Sequence, residues 1–297
     1  MRIFVTGASG WIGSAVIPEL LDAGHKVLGL ARSDSAAVSV AAIGAEVQRG
    51  NLDDLDSLRA GAAACDGVVH LGYRHDFSRM EAAAETDLAA INAIGAELAG
   101  IDRPFVVASG VLGLAPGRVA TEWDQPDPRA HPRIAGIQAA MSFAASGVRP
   151  SSVRFAPTVH GRGDHGFLAT LVGIARDKGV SAYIDEGDNR WAAVHRLDAG
   201  KLVRLAVDGA PAGAAVHAVA DEGVATRIIA EAIGRGLDLP VVSIPAGQAA
   251  DHFGWMARFF AFDGPASHEA TRQLLGWEPV HPGLIDDLDA GHYFAAS

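Results

Sequence analysis

Short apolar runs separated by helical patterns fill the first half of the chain. Residues 2–6 (RIFVT), 25–31 (HKVLGLA), 45–49, 67–71 (GVVHL) and 104–109 (PFVVAS) are compact β-branched runs rather than in/out alternations. Each reads as a strand buried on both faces. Between them the pattern turns helical: 11–23, with Pro18 inside and Gly24 as a stop, then a short helix in NLDDLDSLRAGAAACD, then 87–99. Strands of this kind alternating with helices predict an α/β fold, a Rossmann-like doubly wound parallel sheet. Further on, 115–133 is rich in Pro, Asp and Arg and reads as a surface loop. Pro132 suits the first turn of a helix running to about 145, with Gly147 as its stop. A strand at 152–155 precedes the loop TVHGRGDHGF, and 194–207 and 221–233 read as helices. The aromatics Phe253, Trp255, Phe259, Phe260 and Phe262 are expected to be core. Residues 1–160 are therefore expected to form the dinucleotide-binding domain, with segments near 190–220 returning to it. Residues 161–297 are expected to form mainly a small C-terminal substrate lobe.

Composition narrows the class. At 297 residues and 30.7 kDa the chain can bury the core that such a fold needs. Its formal net charge of −11 argues against nucleic acid as a partner, and no apolar stretch is long enough to span a membrane. The first residues run straight into a strand, so no signal peptide is expected and cytoplasm is the expected compartment. Cys65 is the lone cysteine, which excludes an intramolecular disulfide and a cysteine metal cluster; it reads as a small buried residue. A homodimer is left open.

Candidate chemistry begins at GASGWIG, where Gly7, Gly10 and Gly13 fall at a strand–turn–helix junction. Gly7 suits the tight turn, Gly10 lets backbone approach a pyrophosphate, and Gly13 lets the helix pack on the sheet. Ser9, Trp11 and Ile12 share that turn, whose helix N-terminus attracts a phosphate. The second strand ends in GLARSD. Arg32 and Ser33 stand where an NAD site usually presents an acid, so NADP is expected in preference to NAD. Asp34, slightly later, is the alternative ribose partner.

These features, with NLDD after the third strand, HLG after the fourth, VVASG at the fifth, RFAPTVHG and NRWAAVHRLDAGKLVRLAV, make the chain similar to extended short-chain dehydrogenase/reductases. Their epimerase/dehydratase-like branch is the nearest. The resemblance implies that Asn51 and Leu52 flank an adenine and that Leu71 and Gly72 line the middle of the cofactor. It also implies that Pro157 to Val159 approach the nicotinamide and that Ser109 orients a substrate carbonyl. One landmark is missing. The superfamily uses a tyrosine followed one helical turn later by a lysine, some way beyond that serine. Here the tyrosines are Tyr73, Tyr183 and Tyr293, the lysines Lys26, Lys178 and Lys201, and neither type falls between Ser109 and Lys178.

Replacement proton donors stand in GYRHDF after the fourth strand: Tyr73, His75 and Asp76, with His131 or Arg133 contributing from the loop and the next helix. His160, His165 and His195 with Asp164 and Asp198 lack the short spacing of a metal site, and Asp198 is expected to hold His195 by a hydrogen bond. Arg190 and Trp191 are open between substrate contact and interlobe packing. No Gly-x-Ser-x-Gly occurs, which disfavours a serine hydrolase. The expected function is hydride transfer between a nicotinamide cofactor and a small carbonyl or alcohol substrate. The alternatives are a catalytically silent NADP(H)-binding sensor or scaffold, and a nucleotide-sugar epimerase/dehydratase.

Overall fold

The computed structural model describes residues 1–75, 79–100 and 102–295. The chain runs β1 (Arg2–Thr6), α1 (Gly13–Asp22), β2 (Lys26–Ala31), α2 (Asp34–Ala42), β3 (Glu46–Arg49), α3 (Leu55–Ala63), β4 (Gly67–His70), α4 (Met80–Leu98) and β5 (Pro104–Gly110). It continues with α5 (Ile134–Ser142), β6 (Arg149–Phe155), β7 (Thr158–His160), α6 (Phe167–Lys178), β8 (Ser181–Ile184), β9 (Arg190–His195), α7 (Arg196–Gly209) and β10 (Ala214–Ala218). Last come β11 (Asp221–Ala225), α8 (Thr226–Leu237), β12 (Val241–Ile244), α9 (Ala249–Phe253), α10 (Ala257–Phe260), α11 (Glu269–Leu275) and α12 (Leu284–Asp289).

Seven parallel strands form the main sheet in the order β10-β6-β5-β4-β1-β2-β3. The chain winds outward from β1 in one direction and from β4 in the other, so the crevice at their C-terminal ends is the switch point where α/β sheets bind ligands. Both faces are covered, as the continuous apolar runs predict. Ile3 and Val5 of β1 enter one core with Ile17, Val153 and Leu202, while Phe4 enters the other with Leu58, Ile91, Ile94 and Phe105. A third core, around Leu171, Trp191, Ile229, Ile233, Phe253, Met256 and Phe260, belongs to the smaller part of the molecule. There a three-stranded sheet runs β11-β9-β7 and a two-stranded one pairs β12 with β8.

Two helix assignments need correction. Residues 194 and 195 end β9, which is paired on one side with β7 and on the other with β11; the helix starts only at Arg196. Likewise 221–225 is strand β11, and α8 begins at Thr226. In both stretches the neighbouring strands supply backbone partners that outweigh local preference. The aromatic group also divides: Phe253 and Phe260 are buried, whereas Trp255 and Phe262 are about half exposed. Cys65 is buried, with its thiol pushed up to about 11 by burial. Among the described residues no helix is long and apolar enough to cross a membrane.

Candidate active site

The glycine turn is held by close contact rather than by sequence preference alone. Gly7 has φ +67°, and a Cβ there would lie 2.8 Å from the Gly72 nitrogen. On Gly13 a Cβ would lie 2.2 Å from the Gly7 carbonyl oxygen, so no side chain fits without moving backbone. Gly10 N–H donates to Gly7 O at 2.9 Å, and the first helical bond runs from Ser14 N–H to Gly10 O. The amides ahead of that bond lack intrahelical partners and suit an anion. This bare, amide-lined turn fits the phosphates of a dinucleotide.

Of the expected cofactor neighbours, Leu71, Gly72 and Val159 lie against it. Trp11 Nε1–H donates to the Val159 carbonyl at 2.7 Å, which fastens the segment after Pro157 to the turn. The Arg196 guanidinium lies 4.2 Å over the Trp11 ring, and His165 meets that ring edge-on at 5.6 Å. The Leu52 side chain reaches 3.1 Å from where a Gly72 Cβ would stand, and Leu71 packs at the edge of the core. Asn51 is exposed and accepts a turn hydrogen bond from Asp53 N–H. At the end of β2, Arg32 is exposed, and Ser33 Oγ caps α2 by accepting from Ala36 N–H. Arg49, register partner of Ala31, donates to the Ser33 carbonyl at 2.6 Å and pairs with Asp34 at 2.7 Å. Sequence reading missed Arg49, because only the β2–β3 pairing brings it there.

At the mouth, Tyr73 follows Gly72 and the Arg133 guanidinium lies 4.0 Å over its ring. His75 meets the same ring edge-on at 5.3 Å. His131 Nδ1 accepts from Arg133 N–H and closes the turn before α5. Tyr73, His75, His131 and Arg133 are thus brought together, while Ser109 stands half-buried at the end of β5 opposite Arg154 of β6. Among the described residues no hydrogen bond joins Ser109 to Tyr73. Asp76 lies outside the described residues. Burial pushes the Tyr73 phenol up and the Arg133 charge opposes it. The His75 imidazole is pushed down by desolvation and then by Arg133 and His165; His131 is pushed down by burial, Arg133 and Arg258. Both rings are therefore biased toward the neutral form.

Behind this group lies a buried chain. Arg133 Nε–H points to Asp87 Oδ2 at 3.4 Å, His70 Nε2 lies 3.1 Å from Asp87 Oδ1, and His70 Nδ1 lies 2.8 Å from Thr6 Oγ1. Burial pushes the Asp87 carboxyl up, but His70 and Arg133 together hold it below its ordinary value.

The remaining candidates serve packing between segments. Asp198 does not bind His195. It accepts from Val280 N–H, His281 N–H and His281 Nδ1, and His195 instead stacks on His281 at 4.7 Å. His195, Asp198 and His281 bring possible metal-ligand atoms within 4.8 Å of one another, yet those hydrogen bonds already occupy the Asp198 oxygens. His160 pairs with Asp287 at 2.9 Å, and Tyr293 O–H donates to Asp164 at 3.0 Å. Arg190 is bound to Asp263 and Trp191 is fully buried in the small core.

A parallel sheet with this glycine turn at its switch point defines a Rossmann-type dinucleotide-binding fold, and comparison narrows it. Residues 3–219 match the NAD dependent epimerase/dehydratase family, and the chain belongs to that family of enzymes. It is 45% identical to the uncharacterized protein C2A9.02 of Schizosaccharomyces pombe, over 99% of this chain and 100% of that one. It is 28% identical to the 4-hydroxy-2-methyl-3-oxo-4-farnesyl-3,4-dihydroquinoline-1-oxide ketoreductase of Stigmatella aurantiaca, over 94% of this chain and 87% of the relative. In structure it is similar to DesIV, the dTDP-glucose 4,6-dehydratase of Streptomyces venezuelae with NAD bound. The TM-score is 0.77 at 19% identity, covering 99% of this chain and 96% of that one.

The expected preference for NADP is overturned. The family is NAD dependent, and DesIV holds NAD. At the end of β2 the Ser33 hydroxyl is engaged as a helix cap, and the Asp34 carboxylate that follows is paired with Arg49.

Proposed function

We propose that the protein catalyses NAD-dependent oxidation and reduction at a carbinol or carbonyl carbon of a small sugar or other carbonyl substrate, in the manner of an epimerase or dehydratase. The family match favours that class over the plain reductase expected from sequence. A ketoreductase is the second reading, supported by the Stigmatella relative. The observation that carries the proposal is the Arg133–Tyr73 stack beside the glycine turn.

The backbone at Ser9, Gly10, Trp11, Ile12 and Gly13 would hold the NAD phosphates, and Asp34, steadied by Arg49, the adenosine ribose hydroxyls. Asn51, Leu52, Leu71, Gly72, Pro157 and Val159 would line the rest. When bound, NAD supplies the hydride chemistry. Ser109 would donate a hydrogen bond to the substrate oxygen, and Tyr73 would give or take the proton on that oxygen. Burial pushes the Tyr73 phenol up, and the guanidinium on its ring opposes that rise, a partial counterpart of the lysine in the usual dyad. His75 and His131, both biased toward neutrality, would be secondary proton acceptors at the mouth rather than donors.

The test is to bind NAD and NADP by calorimetry and then screen sugar nucleotides and simple ketones, following nicotinamide absorbance and products by NMR. NAD is expected to bind more tightly, and Asp34→Ala to weaken it about tenfold, roughly 1.4 kcal/mol. Tyr73→Phe is expected to slow turnover by about a hundredfold or more with NAD affinity unchanged. Product formed without net change in absorbance supports an epimerase or dehydratase; a stoichiometric change supports a reductase. Full turnover by Tyr73→Phe would remove Tyr73 from the chemistry.

A further inference from the structure

Thr6, His70 and Asp87 form a hydroxyl–imidazole–carboxylate series, the order found in serine hydrolases. Here it cannot supply a nucleophile. Thr6 is fully buried, and its Oγ1 already accepts from Gly72 N–H at 3.0 Å. The Thr6 proton is then directed at His70 Nδ1, which leaves His70 Nε2–H to donate to Asp87 Oδ1. The other carboxylate oxygen, Asp87 Oδ2, is met by Arg133 Nε–H at 3.4 Å. Asp87 is 1% exposed, and a carboxylate that deep is stable only when both oxygens are engaged. It therefore fixes the guanidinium. α5 is close enough because residue 136 is glycine: a Cβ there would stand 3.3 Å from Asp87 Oδ2.

The ends of this chain are informative. Thr6 immediately precedes Gly7 of the cofactor turn, and Gly72 immediately precedes Tyr73. One hydrogen bond from Gly72 N–H to Thr6 Oγ1 sets the spacing between turn and phenol, and the rest of the chain sets the cation over that phenol. We infer that Thr6, His70 and Asp87 are positioning residues for the reaction, holding Arg133 on the Tyr73 ring and registering both against the glycine turn. The inference rests on Tyr73 as the proton donor.

Its test reads the phenol itself. Among the described residues, the groups that act on Tyr73 are Arg133 at the start of α5, Asp87 in α4 and His75 in its own loop. With only three tyrosines, ¹³C-tyrosine NMR of the full chain with NAD resolves Tyr73, assigned through Tyr73→Phe. Arg133→Met is expected to raise the Tyr73 titration midpoint by about half a pH unit or more. Asp87→Asn is expected to raise it too, because the untethered guanidinium leaves the ring. If Asp87 acts only through its own negative charge, Asp87→Asn lowers the midpoint instead. A fall, or no change, overturns the inference. Should Asp87→Asn fail to fold, Arg133→Lys takes its place: it keeps the charge but not the planar fork, and the midpoint is expected to rise. An unchanged midpoint in that variant overturns the inference as well. Full turnover by Tyr73→Phe would instead remove the proton-donor role, while the titration would still report whether Asp87 holds Arg133.

Discussion

His70–Asp87 and His160–Asp287 are the same two groups in two places. Both are buried, at 3.1 and 2.9 Å, and in both the histidine ends or follows a strand while the carboxylate comes from a helix. They differ in what the second carboxylate oxygen meets. Asp87 Oδ2 meets Arg133 at the mouth of the crevice, whereas Asp287 Oδ1 faces His292 at 3.7 Å near the end of the chain. The first pair connects the cofactor turn to a candidate proton donor. The second fastens α12 to β7, next to the His195–His281 stack and the Tyr293–Asp164 hydrogen bond. An imidazole–carboxylate pair alone therefore says little about function, and its outer neighbour says most.

The contrast is broken most directly by removing the carboxylate of the fastening pair. Asp287→Ala leaves His160 fully buried with Nδ1 unpartnered, and Nε2 already has no partner among the described residues. A loss of about 4 kcal/mol in urea unfolding is expected, with NAD affinity unchanged in the folded protein. A matching loss of NAD affinity would merge the two pairs into one functional unit.

Acid sharpens the contrast next. Burial, then the charges of His160 and His281, depress His195 to about 4. Its folded value lies below its unfolded value of about 6.5, so the neutral ring stabilises the fold above that pH. As pH falls from about 6.5 toward 4, the unfolded chain takes up a proton that the native ring refuses, and up to about 3 kcal/mol is lost. Asp87 and Asp287 are also held low, so their contribution disappears only at more acidic pH, as each carboxylate is protonated. Urea midpoints at about pH 7 and pH 5 should fall in the wild type and fall less in His195→Phe. Equal falls would place the acid-sensitive site elsewhere.

The smallest effect on stability is expected at the first pair. Asp87→Asn keeps the size and one acceptor, so unfolding should be easier by only about 1–2 kcal/mol, although the Tyr73 phenol responds. A loss as large as that of Asp287→Ala would make Asp87 chiefly a structural residue.

Much of the cofactor side was legible in the chain. GASGWIG follows a buried strand, and the structure gives Gly7 its positive φ and Gly13 its backbone contact. The catalytic side was legible only as loose candidates. Arg133 stood beside His131 as one contributor, and Asp87 was merely the start of an expected helix. Nothing in the sequence tied either to His70 or Thr6. The misread helix starts at 194 and 221 have the same origin, since β9 and β11 exist by pairing with each other. Ser33 and Arg32 suggested a phosphate, but the Arg49–Asp34 pair arrives from the next strand.

The sequence by itself determined the β-branched runs, their alternation with helices, and the glycine turn that admits a dinucleotide. These depend on backbone freedom and on burial patterns within a few residues, which the order of side chains states directly. Tertiary structure alone decided which groups face Tyr73, which carboxylate each histidine received, and where the small core takes its strands. Those outcomes arise because a buried charge must find an opposite charge or hydrogen-bond donors. The partners that meet that need, at positions 6, 70, 87 and 133, become neighbours only when the sheet and its helices close.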